Sequence, residues 1–180
     1  MSESTTKHWS DVIGHQQQRD WFAASLSQGR FSGSMLFVGS PGCGKRTVAR
    51  LLAKTLLCET VPAKDMAPCG TCPSCTQVQA SNHPDLIHVS KPADKSSFPL
   101  DKLIGPEDNR MQEGFCYDIQ LKPMIGTRKV AILEDADFLN IYSANCLLKT
   151  LEEPPDDTVI MLIGTVEQKQ LPTIRSRCKI

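Results

Sequence analysis

The string Gly39-Ser40-Pro41-Gly42-Cys43-Gly44-Lys45-Arg46-Thr47 constrains the possible folds of this chain more than any other stretch. It separates a short apolar run at 35–38 from a helical pattern at 45–58, where Val48, Leu51, Leu52, Thr55 and Leu56 recur at helical spacing. A strand that runs into glycines, followed by a lysine at the start of a helix, is the setting of a phosphate-binding loop. Glycines let the backbone turn tightly and aim N–H groups at phosphate oxygens, and the helix N-terminus adds positive partial charge. Gly39, Ser40, Pro41, Gly42, Cys43, Gly44, Lys45, Arg46 and Thr47 are therefore candidate nucleotide-binding residues, with Lys45 reaching the β- and γ-phosphates. The alternative is a glycine-rich turn that holds no ligand.

One position departs from the pattern. The residue after the lysine is ordinarily Ser or Thr, whose hydroxyl holds Mg²⁺. Here it is Arg46, and Thr47 comes one place late. A guanidinium cannot ligate Mg²⁺ and repels it, so the loop is expected to bind phosphate but to be poor at Mg²⁺-dependent hydrolysis. A second apolar run, 130–133, ends in Glu134 and Asp135. In a nucleotide hydrolase such a strand end supplies an Asp that organises the metal and then a Glu that activates water. The order Glu134-Asp135 keeps both charges but moves each carboxylate by about one methylene, and a misplacement of ~1 Å can cost about 100-fold in rate. The same pair would also suit a solvated strand end or a helix cap.

Around these motifs strands and helices alternate. Residues 16–28 read as a helix, 85–90 as a second strand, 143–153 as a helix stopped by Pro154-Pro155, 158–163 as a fourth strand and 177–180 as the start of a fifth. Residues 1–8 are polar and expected to fray. Residues 91–110, rich in proline and charge, are expected to form a mobile loop with at most a short helix. The alternation predicts an α/β fold with a parallel five-stranded sheet flanked by helices. Because the sequence stops as the fifth strand begins, further domains are expected beyond Ile180. Formal net charge is zero, whereas a free-standing nucleic-acid binder usually carries a basic excess. Any DNA contact is thus expected to be local or shared with partners. No apolar run reaches the ~18 residues of a membrane span, and the N-terminus lacks the apolar core of a secretory signal. A cytoplasmic protein without membrane contact is expected.

Eight cysteines in such a chain point to metal binding or free thiols before disulfides. Cys69, Cys72 and Cys75 are separated by two residues each, and Cys58 lies upstream at the end of a helix. Four thiolates suit tetrahedral Zn²⁺, and Pro68, Gly70 and Pro73 supply the turns needed to fold around it. Cys58, Cys69, Cys72 and Cys75 are the candidate ligands of a structural zinc with no open coordination position, to which no catalysis is assigned. His83 is a rival fourth ligand. A redox Cys-x-x-Cys pair and unrelated free thiols are the other readings. Cys43, Cys116, Cys146 and Cys178 lack ligand spacing and read as reduced thiols.

Taken in order, these elements resemble the AAA+ (RecA-like) ATPase subunits of bacterial DNA polymerase III clamp loaders, over about 9–178. The segment Trp9-Ser10-Asp11-Val12-Ile13-Gly14-His15 is similar to the family's adenine-binding segment, which implies Val12 and Ile13 as nucleotide contacts. The four-cysteine insertion, about 58–80, follows the phosphate-loop helix as in these subunits, and Ser81-Asn82-His83-Pro84-Asp85 resembles the segment after it. The most specific string is Asn145-Cys146-Leu147-Leu148-Lys149-Thr150-Leu151-Glu152-Glu153-Pro154-Pro155. Thr165 lies where the family's first sensor residue sits, and Ser176-Arg177-Cys178 matches the motif that carries an arginine finger.

The departures at Arg46 and at Glu134-Asp135 make the chain resemble the non-hydrolysing δ′ type more than the γ/τ motor type. That resemblance implies one AAA+ domain over 1–180, with lid and collar domains outside this chain. It also implies a stator within a five-subunit assembly, weak or absent ATPase of its own, and Arg177 projecting to the ATP of a neighbouring subunit. The implied partners are the γ/τ motor subunits and δ, with the sliding clamp and primer–template DNA reached through the complex. An ATP-hydrolysing γ/τ motor is the first alternative. A small phosphate-loop nucleotide kinase is the second, and a zinc-dependent DNA-binding module a third.

Overall fold

The computed structural model of this chain describes residues 8–29 and 31–180. The expectation that the first residues fray falls, apart from His8, outside them. Strands β1 (Gly33–Phe37), β2 (Leu86–Val89), β3 (Lys129–Leu133) and β4 (Thr158–Ile163) form one parallel sheet in the order β1-β4-β3-β2. The two central strands, β3 and β4, are buried along their whole length, as a parallel sheet covered on both faces requires. Successive side chains point to opposite faces. Val130 and Ile132 accordingly enter one apolar cluster with Phe22, Leu52 and Leu56. Ala131 and Leu133 enter the other, with Phe98, Phe115, Leu147 and Leu151.

Helices α1 (Gln16–Ser27), α2 (Lys45–Leu57) and α3 (Pro73–Gln79) contribute to the first cluster. Helices α4 (Leu100–Ile104), α5 (Phe115–Gln120), α6 (Ile141–Glu152) and α7 (Pro172–Arg175) contribute to the second. The start of α6 is set by a reciprocal cap. Asn140 Oδ1 accepts from the Ser143 N–H at 2.9 Å, and Ser143 Oγ accepts from the Asn140 N–H at 2.9 Å. This places the helix start two residues earlier than the apolar pattern suggests.

Two expectations need correction. The fifth strand is reduced to a single parallel bridge, Met35 with Lys179, on the outer side of β1. Lys179 donates to the Ser34 carbonyl at 3.0 Å and accepts from Leu36 N–H at 2.8 Å, which continues the sheet by one residue only. The segment 91–110 is more ordered than its prolines and charges suggest. It contains α4, and Phe98 and Leu103 are fully buried in the second cluster. With Ile104, these apolar anchors tie the segment to the second cluster. Among the described residues, no helix is long and apolar enough to cross a membrane.

Candidate phosphate-loop site and four-cysteine centre

The loop between β1 and α2 is built by glycine conformation. Gly42 and Gly44 have φ of 80° and 95°, which favour glycine over any residue with a Cβ. Gly44 caps α2, and its carbonyl receives the Val48 N–H at 2.9 Å. The start of the loop is laced to the end of β4. Gly39 N–H donates to the Thr165 carbonyl at 3.0 Å, and Gly164 N–H donates to the Phe37 carbonyl at 2.9 Å. Lys45 folds over the loop, its Nζ 2.6 Å from the Gly39 carbonyl oxygen and 2.8 Å from that of Ser40. His15 adds a brace that the sequence pattern does not single out. Its Nε2 lies 2.7 Å from the Cys43 carbonyl oxygen, so that nitrogen carries the proton and donates. Of the two residues expected to touch adenine, Val12 packs against the first cluster, whereas Ile13 is 96% exposed.

Arg46 and Glu134 meet. The guanidinium of Arg46, on the first turn of α2, forms an ion pair with the Glu134 carboxylate at the end of β3. The other Glu134 oxygen takes a 2.9 Å hydrogen bond from His88 Nε2 on β2. Glu134 is buried. Burial by itself would raise its carboxyl, but the His88 hydrogen bond and the charges of His88, Arg46 and Arg50 outweigh this and hold it below the ordinary carboxylate range. Asp135 has left-handed backbone, φ 60°, and sits half-buried beyond the strand. The two acids therefore part company. Glu134 is committed to two basic side chains, and Asp135 turns the chain.

A third acid, Asp137, organises the far side. Its carboxylate accepts from the Thr165 N–H at 2.8 and 3.1 Å and from the Gln170 side-chain amide. Gly164 lies against this pair so closely that a Cβ there would collide with Gln170 and Asp137. Thr165 is thus anchored by its main chain to both Gly39 and Asp137. Arg177 follows α7. It forms an ion pair with Glu152 at the end of α6, and its Nη1 donates to the Thr173 carbonyl at 2.9 Å. Among the described residues its polar contacts are with α6, α7 and the turn after α7, and none is with the phosphate loop.

The four cysteines converge. The sulfurs of Cys58, Cys69, Cys72 and Cys75 all lie within 4.8 Å of one another, with Cys58–Cys69 at 3.8 Å and Cys69–Cys75 at 3.9 Å. A tetrahedral ion with metal–sulfur distances of about 2.3 Å needs sulfurs about 3.8 Å apart, so the set fits such an ion. The Cys72 N–H points at Cys69 Sγ (3.3 Å) and the Cys75 N–H at Cys72 Sγ (3.4 Å), which stabilises thiolates in place. The Thr60 hydroxyl, with the N–H groups of Thr71 and Cys72, holds the Cys69 thiol down at about 5, whereas burial pushes that of Cys75 up. His83 is not in the set. Its Nδ1 accepts from the Asp85 N–H at 3.0 Å and its Nε2 faces Ser74 Oγ at 2.9 Å, which bonds Glu59 in turn. Cys116, whose Sγ lies 3.6 Å from the Cys146 carbonyl oxygen, and Cys178 lie outside the set, and burial raises their thiols to about 11 and about 12.

Comparison with known proteins gives a consistent result. A family model described as DNA polymerase III, delta subunit, matches residues 14–180. The DNA polymerase III subunit tau of Escherichia coli is 36% identical over 170 residues, 94% of this chain and 24% of that protein. The subunit delta′ of Pseudomonas aeruginosa is 39% identical over 143 residues, 79% of this chain and 40% of that protein. The present chain thus spans well under half of either relative. A DNA polymerase III gamma subunit-related protein of Thermotoga maritima superposes with a TM-score of 0.52, at 19% identity, over 87% of this chain and 44% of that one. A variant of RuvB from the same organism gives 0.53 at 14% identity, over 97% of this chain and 47% of that one. At such identities the two structures speak for the fold, an AAA+ parallel sheet flanked by helices. The family rests on the match over 14–180 and on the tau and delta′ identities: this chain belongs to the DNA polymerase III delta-subunit family, together with the tau, gamma and delta′ subunits.

Proposed function

We propose that this chain is the AAA+ domain of a δ′-type clamp-loader subunit, a stator that assembles with γ/τ motor subunits and δ and helps load the sliding clamp onto primer–template DNA. One observation carries the choice of δ′ over motor: the ion pair between Arg46 and Glu134. In a hydrolysing site the position of Arg46 holds a hydroxyl ligand of Mg²⁺, and the strand-end acids organise the metal and activate water. Here the strand-end acid is neutralised by the residue that replaced the metal ligand. The chain's own ATPase is therefore weak or absent. Its contribution to the complex is Arg177, offered to the γ-phosphate of ATP on a neighbouring motor subunit. A guanidinium suits that task because its planar fork donates two hydrogen bonds and keeps its charge.

In this reading the domain covers 1–180, the four cysteines hold a structural zinc within a module at about 58–80, and lid and collar domains lie outside this chain. A cytoplasmic replication protein is implied. The γ/τ motor is the second reading, favoured by the fact that the tau relative aligns over more of the chain than the delta′ relative does. Co-expression of the full-length protein with its γ/τ and δ partners separates the two. A stable complex, with no steady-state ATPase from the isolated subunit, is expected. Turnover by the isolated subunit comparable with that of the motors would assign it to γ/τ, and failure to co-purify would remove it from the clamp loader.

A further inference from the structure

The residues of the phosphate loop are in place, whereas those that would hold a metal are not. Gly42 and Gly44 shape the loop, and Lys45 opens α2, a helix of 13 residues, with its ammonium over the loop. The donor set that would hold Mg²⁺ does not fit it. The hydroxyl position is a guanidinium. Thr47 lies one residue on, about 100° further round the helix. The acid that would face the metal, Glu134, has one oxygen on Arg46 and the other on His88, and is 3% exposed. A divalent ion entering here would have to expel a bonded guanidinium from a buried carboxylate and then sit beside a cation.

Arg46 occupies that place with a charge of its own. Its side chain is 61% exposed although its tip is paired with the buried acid, so part of the group remains open to solvent on the first turn of α2. A guanidinium has five N–H donors arranged in a plane. Nη2 is the nitrogen that faces Glu134, and the geometry of the group lets one edge hold a carboxylate while another meets a phosphate. We infer that Arg46 is a built-in substitute for the divalent cation, and that the loop takes a nucleoside di- or triphosphate in its metal-free form. This rests on the reading of the loop as a nucleotide site. It makes Arg46 a residue that selects the metal-free ligand, with Glu134 as its positioning partner. The bound nucleotide would be static, since Glu134, the buried strand-end acid, is held by Arg46 and His88.

The test is equilibrium binding of fluorescent mant-ATP and mant-ADP to the full-length protein, in excess Mg²⁺ and in excess chelator. Nucleotide-dependent uptake of Mn²⁺ is followed in parallel by water-proton relaxation. The wild-type chain is expected to bind with the same affinity in both buffers, within about twofold, and to take up no Mn²⁺ with the nucleotide. Arg46→Thr restores a hydroxyl and frees Glu134. It should bind at least about tenfold more tightly with Mg²⁺ than without, and should take up Mn²⁺. Arg46→Lys keeps the charge and should remain indifferent to the metal, which guards against a folding defect in the threonine variant. Wild-type binding that requires Mg²⁺ would overturn the inference. So would an Arg46→Thr variant indifferent to Mg²⁺, or no binding in either buffer. Complex formation with the γ/τ and δ subunits, scored on the same full-length protein, is a separate readout, so a failed clamp-loader assignment and a failed cation assignment remain distinct.

Discussion

The Asp85 carboxylate shows how a single side chain holds irregular backbone beside the sheet. It is fully buried and accepts from the N–H groups of Met124 (2.6 Å), Ile125 (3.0 Å) and Gly126 (3.2 Å). Burial alone would raise this carboxyl, but the three N–H groups outweigh it and hold it below its usual range. The folded-state value is therefore depressed relative to the unfolded chain. Its contribution to stability is fully present above about pH 4 and is lost as pH falls through the folded value. Asp85→Asn removes the charge and turns an amide NH₂ toward three donors, at an expected cost of ~3 kcal/mol at neutral pH. Urea unfolding at pH 7 and at pH 3 should show the gap between wild type and variant narrowing at the lower pH. A gap independent of pH would mean that the carboxylate is not ionised in the fold. At this scale the sequence identifies groups better than partners. Glu134 and Asp135 are legible as a strand-end pair, but nothing in a linear pattern says that His88, 46 residues away, completes Glu134. Nor does it say that Asp137, and not its neighbours, anchors Thr165.

Among the elements, the four-cysteine module has the most to gain from a ligand. It lies between α2, which ends at Leu57, and α3, whose N-cap is Cys72. Only Val78 of α3 reaches the first apolar cluster as a large buried residue, and besides the sulfurs this short helix is held by polar contacts, of Ser74 with Glu59 and His83 and of Gln79 with Lys54. With zinc as the proposed ion, freshly purified reduced protein should carry about one equivalent. Cys72→Ser should fall below half of that and lose about 2–3 kcal/mol, a Tm drop of roughly 5–10 °C. Zinc contributes more than this, about 10–16 kcal/mol, where it is the whole core of a small domain; here the sheet folds around its own two clusters. Hydrogen exchange should then show lost protection at 59–80 with β3 and β4 unchanged, and loss in both would mean that module and sheet are one cooperative unit. The elements legible in the sequence were those with a period or a stop. α2 shows its helical stripe, the cores of β3 and β4 are unbroken apolar runs, and α6 ends at Glu152, just before Pro154. α3, α4 and α5 are five to seven residues long and hide among prolines and charges, because one turn or two gives no period to read. Phe98 and the pair Leu103-Ile104 decide the course of the whole 91–110 segment, and that depends on the cluster they enter.

At the scale of the whole molecule, Arg177 carries the largest expected consequence. It sits between α7 and the Lys179 bridge, at the far end of the chain's order from the phosphate loop. Its guanidinium pairs with Glu152, the last residue of α6, and with the Thr173 carbonyl. This joins the two most distinctive strings of the sequence, 145–155 and 176–178, at one point of the surface. Two accounts of the pair make different predictions. As a partly exposed ion pair within one chain it is worth ~0–1 kcal/mol. Arg177→Ala would then cost that small stability and leave an assembled clamp loader unchanged. As a residue aimed by Glu152 at a neighbour's γ-phosphate, it would stabilise the transition state of hydrolysis next door, where an arginine contributes about 10³–10⁵ in rate. Arg177→Ala in the full-length protein should then leave zinc content and Tm near wild type. It should lower turnover at the adjoining site by about 10³-fold or more in DNA- and clamp-stimulated assays of the reconstituted complex. Arg175 is the internal control. It pairs with Glu167 at 2.5 Å and lies outside the Ser176-Arg177-Cys178 motif, so Arg175→Ala should leave complex turnover within about twofold of wild type while losing no more than its own ion pair. If both variants load clamps at the wild-type rate, the Arg177–Glu152 pair is a fastening between α6 and α7 and nothing more.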